Sequence, residues 1–270
     1  MTSTLLALAL LLAPASHAKS GGAKKTSAPA AAAAPSVSVD VAGANAAAKA
    51  LGLSSALAGR VDKFARNAET MQKGGIDSNV CAVMDEAVSL GQDLHSALAE
   101  EKPDPAKIAA LEKAAPGLRI GVSADGGTGG ANYEALGRLA AAKHGSSATI
   151  LQGAGGMLDQ KRPAFIVMMK NEERGCTDYS RAQAAIEKIA AGWKTAPACV
   201  KEHLKQPLAT ALADDELSTC WCKDADTAAF ETKHYASKLS TLKDFDGPGH
   251  AKAILAEVDE AGAHFTCNAE

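Results

Sequence analysis

Apolar residues recur at helical spacing over much of the chain, and this period limits the possible folds more than any other feature. One apolar stripe occupies residues 54–73 and is ended by Gly74 and Gly75. The next stripe consists of Val80, Val83, Met84, Ala87, Leu90, Leu94 and Leu98. Because the connection between the two stripes is short, we expect an antiparallel helical hairpin.

Helical spacing returns in the C-terminal third, where the sequence predicts four more helices. They start near Asp178 or Ser180, Pro197, Asp226 and Gly247. The inward stripe of the third of these helices consists of Phe230, Tyr235, Leu239 and Leu242. We therefore expect a mainly α fold of disulfide-linked antiparallel hairpins, with a hairpin plus a short helix at 41–116 and a helical region at 173–270.

The middle of the chain, residues 117–172, breaks this pattern. Eleven of the 24 glycines lie between Gly117 and Gly156. Residues 118–123, 148–152 and 164–169 have the short apolar runs of strands, and residues 132–144 have the spacing of a helix. We expect a small glycine-rich α/β insertion of the βαβ type.

The N-terminus predicts export. Residues 5–13 form an apolar run of the length found in signal peptides, and Ser16-His17-Ala18 is a small-x-small cleavage site. Residues 1–18 are therefore a predicted signal peptide, and residues 19–40 are a flexible linker rich in Ala, Pro and Lys. A periplasmic or secreted location follows, after cleavage near Ala18.

Six cysteines behind a predicted signal indicate disulfides. Cys220 and Cys222 stand two positions apart, where two residues of one helix do not face each other, so they are expected to reach different partners. The expected pairs are Cys81–Cys199, Cys176–Cys220 and Cys222–Cys267, with the roles of Cys220 and Cys222 open to exchange.

A zinc site is the alternative use of these cysteines. Cys220, Cys222 and Cys267, with His234 or His264, would supply four tetrahedral ligands. The spacing matches no standard zinc finger, and exporting cells oxidise such thiols, so disulfides are favoured. Neither Cys-x-x-Cys nor Cys-x-x-Cys-His occurs, and we expect no metal and no cofactor.

One segment resembles a binding site. If a strand precedes it and a helix follows, the loop at 125–133 presents backbone N–H groups and a helix N-terminus to a small anion. The alternative is a loop that only caps the helix. The candidate ligand-binding residues are Gly126, Gly127, Thr128, Gly129, Gly130, Asn132 and Tyr133.

A family resemblance involves the same segment. "LRIGVSADGGTGGANYEALGRLAA" at 118–141 and "ATILQGAGG" at 148–156 resemble the first strand, glycine loop, helix and second strand of periplasmic solute-binding receptors of the tripartite-transporter type. The resemblance implies that the loop contacts a small, carboxylate-bearing solute.

The composition of the chain argues against two classes of function, nucleic-acid binding and a membrane-spanning role. The net charge is −3 and aromatic residues make up 4% of the chain, so a basic face with stacking rings for nucleic acid is not expected. No apolar stretch after the signal is long enough to span a membrane. We expect an exported, soluble, non-catalytic binding or interaction module with a partner in the cell envelope. Small-solute binding at 125–133 is the alternative, and a hydrolase without a recognisable motif is a weaker one.

Overall fold

Helices form most of the chain in a computed structural model of the protein, which describes residues 37–74, 77–99, 103–121, 128–159, 164–169, 172–177, 179–213 and 225–261. The predicted signal peptide and nearly all of the predicted linker lie outside these ranges. All of these ranges belong to one compact unit. A mainly α fold, as the apolar period predicts, is confirmed.

Four helices precede the glycine-rich segment: α1 (Val41–Ala50), α2 (Ser55–Lys73), α3 (Asp77–Leu98) and α4 (Pro105–Ala114). The side chains of Asp40, Ser54 and Asp104 cap α1, α2 and α4 by accepting a hydrogen bond from the first turn. The predicted helices α2, α3 and α4 are confirmed. Helix α1 was missed because alanine occupies both its buried and its exposed positions, so its sequence shows no contrast between the two faces.

Two short strands and two helices follow. They are β1 (Leu118–Arg119), β2 (Gly130–Ala131), α5 (Tyr133–Ala140) and α6 (Gly145–Leu158). β1 and β2 pair antiparallel, and both precede α5. The strand predicted at 148–152 is wrong, because this stretch lies within α6. The βαβ order predicted for the segment is therefore wrong as well.

Close helix packing explains why the prediction at 148–152 failed. A Cβ at Gly137 of α5 would lie 2.8 Å from Gln152 N of α6, and one at Gly153 would lie 2.8 Å from Ile189 N in the following helix. Glycine lets these backbones approach closely. The apolar run is thus buried on several sides of a helix, and such a run cannot be distinguished from a buried strand by its period.

The remaining elements are β3 (Ala164–Met169), β4 (Glu172–Thr177), α7 (Tyr179–Trp193), α8 (Ala198–Ala213), α9 (Ala225–Leu239), a 3₁₀ turn (Lys243–Phe245) and α10 (Gly247–Ala261). β3, which the sequence predicts, pairs antiparallel with β4. No described helix has both the length and the apolar content needed to cross a membrane.

One continuous apolar core connects these helices. The whole stripe of α3 is buried in it, together with Phe64 and Met71 of α2, Ile186 of α7 and Leu204 of α8. Tyr235 and Leu239 of α9 are buried as expected, but Phe230 is 71% exposed, so its predicted inward position is wrong. Phe230 lies in the second turn of α9, and among the described side chains of this helix the core contacts come from Tyr235, Ala236 and Leu239.

A disulfide joins α3 to α8. Cys81 and Cys199, one of the three expected pairs, are bonded with their Cα atoms 6.1 Å apart. Of the other expected partners, Cys220, Cys222 and Cys267 lie outside the described residues, as does the alternative zinc ligand His264.

The folded body begins before residue 40, the predicted end of the linker. The Gln72 side-chain amide donates to the Val37 carbonyl oxygen over 2.9 Å and accepts from Val39 N over 3.4 Å. Val37 and Val39 also pack against the core. Residues 37–40 are therefore held on α2 as an extended lead into α1.

Candidate functional site

The predicted glycine loop lies against α3. Gly126 and Gly127 fall outside the described residues, and Thr128 is exposed. A Cβ at Gly91 of α3 would lie 2.5 Å from Gly130 N and closer still to the Gly130 carbonyl oxygen. His95, one turn further along α3, donates from Nδ1 to the Ile120 carbonyl oxygen over 2.9 Å. A Cβ at Gly129 would likewise overlap the Gly91 carbonyl group, so glycine at positions 91 and 129 allows the backbone of this segment to pack directly on a helix.

Asn132 and Tyr133 both have partners within the fold. Asn132 is the N-cap of α5, and its Oδ1 accepts from Ala135 N over 2.9 Å. The Tyr133 hydroxyl lies 3.1 Å from His203 Nε2, and His203 Nδ1 lies 2.8 Å from Asp85 Oδ1. The loop-capping role expected of this segment is therefore present at Asn132, and Tyr133 joins α5 to α8.

The Tyr133–His203–Asp85 chain connects three helices. Burial, together with the nearby Asp159 carboxylate, raises the pKa of Tyr133 to about 12, so the phenol keeps its proton at neutral pH. The phenol hydroxyl and His203 Nε2 share one hydrogen bond, and Asp85 Oδ1 accepts the other from His203 Nδ1. Tyr133 is only 6% exposed. These hydrogen bonds therefore hold α3, α5 and α8 together.

A carboxylate from the protein itself lies at the N-terminus of α5. Glu134 N donates to Asp159 Oδ2 over 2.5 Å, although Asp159 follows the last residue of α6. Burial raises the pKa of Asp159 to about 6, against the lowering effects of the Glu134 and Tyr133 N–H groups and of Arg119. Asp159 thus takes a position where the resemblance implies a ligand carboxylate.

Arg119 completes this contact. Its Nη1 donates to the carbonyl oxygens of Leu158 and Asp159 over 3.1 Å and 2.9 Å, which satisfies the C-terminal end of α6. The same nitrogen lies 3.9 Å from Asp159 Oδ1, so the two side chains form an ion pair. Arg119 and Asp159 therefore connect β1, α5 and α6.

A surface groove opens beside the same end of α5. It has a volume of about 680 Å³ and lies where the start of α1, the end of α4 and the start of α5 meet. Its polar lining comes from Ser38, Asp40, Glu112, Lys113 and Asn132. The groove thus contains one residue of the predicted site, Asn132, together with residues that are distant in sequence.

Backbone contacts hold the polar groups of this groove in place. Asp40 N donates to the Ala114 carbonyl oxygen over 2.8 Å, and Asp40 Oδ1 accepts from Gly43 N over 2.8 Å. Glu112 Oε1 accepts from Ile120 N over 2.7 Å. Each carboxylate therefore uses one oxygen in the fold and keeps a second for another partner. Lys113 is exposed.

Neither the groove nor the Tyr133–His203–Asp85 chain was predicted from the sequence. Asp40 could have been recognised as a helix N-cap, because it directly precedes an alanine-rich run. Asp85 and His203 each lie four residues after a bonded cysteine, which places them one turn further along the same helix faces. No group of three or more His, Cys, Asp or Glu side chains among the described residues could hold a metal ion.

The order of elements differs from the one that the resemblance implies. A tripartite-transporter receptor would have its second strand at 148–152, and α6 occupies that stretch. Comparisons of the chain with protein-family models, with curated proteins and with solved structures found no match.

Proposed function

We propose that the protein is an exported, non-catalytic binding module that holds a small polar solute in the groove between α1, α4 and α5. The groove itself is the observation that supports this function. Its volume, about 680 Å³, falls within the range of small-molecule sites, roughly 300–1,000 Å³. A few convergent polar groups in a concave site are what fixes a solute's orientation.

Preorganised side chains favour binding in this groove. Asp40, Glu112 and Asn132 each accept a hydrogen bond from a backbone N–H group, so they need little ordering when a ligand arrives. Asn132 uses its oxygen in the cap, which leaves its Nδ2 donor. The groove shares only Asn132 with the candidate residues at 126–133, so the site proposed here lies beside that loop and is formed mainly by α1 and α4.

The arrangement of acid–base groups supports a non-catalytic role. The side chains of His203 and Tyr133 are hydrogen-bonded to each other, and burial keeps the Tyr133 phenol protonated. Asp159 is bonded to a helix N-terminus. These groups have the chemistry that catalysis uses, and their hydrogen bonds connect elements of the fold.

Blocking the groove tests this function. Isothermal titration of the mature chain with a panel of small polar solutes should find at least one ligand. Ala110→Trp, at an exposed position that lines the groove, should abolish its binding. Ala109→Trp, at the neighbouring exposed position on α4, is the matched control and should bind normally. A panel without any ligand, or a ligand that Ala110→Trp still binds, would exclude the groove.

Export is supported by the signal-like sequence and by the Cys81–Cys199 disulfide, since such bonds persist in oxidising compartments. Expression of the full chain in an exporting host should give a product whose mass equals residues 19–270 with its cysteines oxidised. A product that retains its N-terminus and six free thiols would contradict export.

We also propose that the helices form disulfide-linked antiparallel hairpins around the glycine-rich segment. Arg60 near the start of α2 pairs with Glu86 in the middle of α3 and with Asp93 nearer its end, as expected for an antiparallel pair. Cross-linking of engineered cysteines at Gln72 and Asn79 would test this, since both lie near the expected turn of the hairpin. An absence of cross-linking there would contradict the hairpin.

A protein partner is the second candidate, and Phe230 favours it. This ring is 71% exposed and lies parallel to His234 with centroids 6.3 Å apart. Exposed aromatic residues are enriched at protein interfaces. A partner from envelope extract should bind the wild type and Lys252→Ser, an exposed control on α10, but not Phe230→Ser. Equal capture by all three proteins would reject this surface.

A further inference from the structure

We propose that the solute bound in the α1–α4–α5 groove is a zwitterion, with an ammonium group and a carboxylate group on one small molecule, as in a free amino acid. The inference rests on the proposed binding function and adds the chemical class of the ligand. The two signs of charge that line the groove carry it. Asp40 and Glu112 bring two negative charges, and Lys113 brings a positive one.

The two carboxylates suit an ammonium group. Asp40 Oδ1 and Glu112 Oε1 accept backbone hydrogen bonds within the fold, so Oδ2 and Oε2 remain as acceptors. Within the described part of the chain, neither carboxylate forms an ion pair. An ammonium group would supply charged donors to both oxygens, and such charge-assisted bonds are stronger than neutral ones.

Lys113 and Asn132 suit a carboxylate. Lys113 has no ion-pair partner among the described residues, and three N–H donors are available on its ammonium group. Asn132, which also lines the groove, adds its Nδ2 donor. A ligand carboxylate between them would gain a counter-charge and a neutral hydrogen bond.

Simple ions fit this lining less well. A simple anion in the groove would share it with the carboxylates of Asp40 and Glu112, and like charges in one site repel each other. A simple amine pairs with the carboxylates but leaves Lys113 without a counter-charge. A zwitterion satisfies both signs at once. The groove is therefore expected to select solutes by the pattern of their charges more than by their size.

Matched ligands separate these cases. Isothermal titration of the mature chain would use the common amino acids. For each one that binds, its des-amino acid and its decarboxylated amine would be compared, for example L-leucine with 4-methylpentanoate and 3-methylbutylamine. The amino acid should bind at least about tenfold more tightly than either analogue, which corresponds to about 1.4 kcal/mol.

Charge-removing variants assign the two ends of the ligand. Asp40→Asn keeps an efficient N-cap on α1 and removes the charge that the ammonium group would meet. Lys113→Gln removes the opposite charge at an exposed position. Each variant should weaken amino-acid binding about tenfold, and Asp40→Asn should leave binding of the des-amino acid unchanged or stronger.

The outcomes distinguish the two proposals. If the des-amino acid or the amine binds as tightly as the amino acid, the zwitterion inference is overturned and solute binding in the groove stands. The same holds if only non-zwitterionic solutes bind. If no solute of any class binds the wild type, the proposed function itself fails.

Discussion

Gly91 and Gly59 show how the surroundings of one residue type decide its role. Gly91 lies where α3 packs on the backbone of β2, and a Cβ there would meet Gly130 N at 2.5 Å. Gly59 lies on an exposed face of α2, and a Cβ there would meet no atom within 4 Å. Glycine is required at the first position for close approach, and at the second it only costs backbone entropy.

Alanine substitution at these two glycines should change stability in opposite directions. Gly91→Ala should lower the free energy of unfolding by about 1–3 kcal/mol, because backbone atoms must move apart. Gly59→Ala should raise it by about 0.5–1 kcal/mol, because alanine favours the helix. Urea denaturation measures both. A Gly91→Ala variant as stable as the wild type would show that α3 and β2 are not packed this closely.

The Tyr133–His203 hydrogen bond should contribute a measurable coupling energy. A double-mutant cycle with Tyr133→Phe, His203→Ala and the double variant should give about 0.5–1.5 kcal/mol, since each single change leaves a largely buried polar group without its partner. Asp85→Ala is the comparison and should change stability by less than about 0.5 kcal/mol, because Asp85 is 69% exposed. A coupling near zero would place the hydroxyl and the imidazole too far apart to bond.

Between elements, Asp159 is the main polar connection in the middle of the chain. It follows α6, accepts from the first turn of α5 and pairs with Arg119 of β1. Its pKa of about 6 lies above the ordinary value of 3.8 because burial disfavours the charged form. The folded state therefore binds this proton more tightly than the unfolded chain does.

The stability contributed by protonated Asp159 should fall as the pH rises. It is fully present below the ordinary pKa of 3.8 and is lost as the pH rises through about 6. Between pH 4.5 and 7.5, the wild type should lose about 2 kcal/mol more stability than Asp159→Asn, which has no such proton. Urea denaturation at the two pH values measures the difference. Parallel losses in the two proteins would contradict a raised pKa.

At the scale of the whole molecule, the disulfide connects parts of the chain that are far apart in sequence. Cys81 and Cys199 are separated by 118 residues and join α3 to α8. One turn further along the same two helices, Asp85 and His203 form a second link. The disulfide therefore ties the N-terminal helices to the C-terminal region, and the more exposed Asp85–His203 pair adds a weaker contact beside it.

Removing the disulfide should therefore destabilise the entire fold. Cys81→Ala/Cys199→Ala should lower the free energy of unfolding by about 2–5 kcal/mol, since the unfolded chain gains the freedom of a long loop. Urea denaturation in the absence of reductant measures the loss. A double variant with the stability of the wild type would mean that the helices are held without this bond.

The helices with a regular apolar stripe were predictable from local sequence. The stripe from Val80 to Leu98 is buried as its period predicts, and the Asp104–Pro105 start of α4 follows from cap chemistry. In α1, alanine occupies both the buried and the exposed positions, and α6 is buried on several sides, so the apolar period does not stand out in either helix. Prediction succeeded where larger apolar residues on the buried face contrast with polar residues on the solvated face.

By itself, the sequence determined the mainly α class, most helix starts and the core-facing residues of the helices with a contrasting apolar stripe, because apolar period and cap chemistry act within a few residues. Only the tertiary structure decided which groups meet. It placed Asp159 on α5, His203 between Tyr133 and Asp85, and Asp40 beside Glu112 and Lys113. These contacts join residues tens of positions apart, and their geometry depends on how helices pack, which no local pattern encodes.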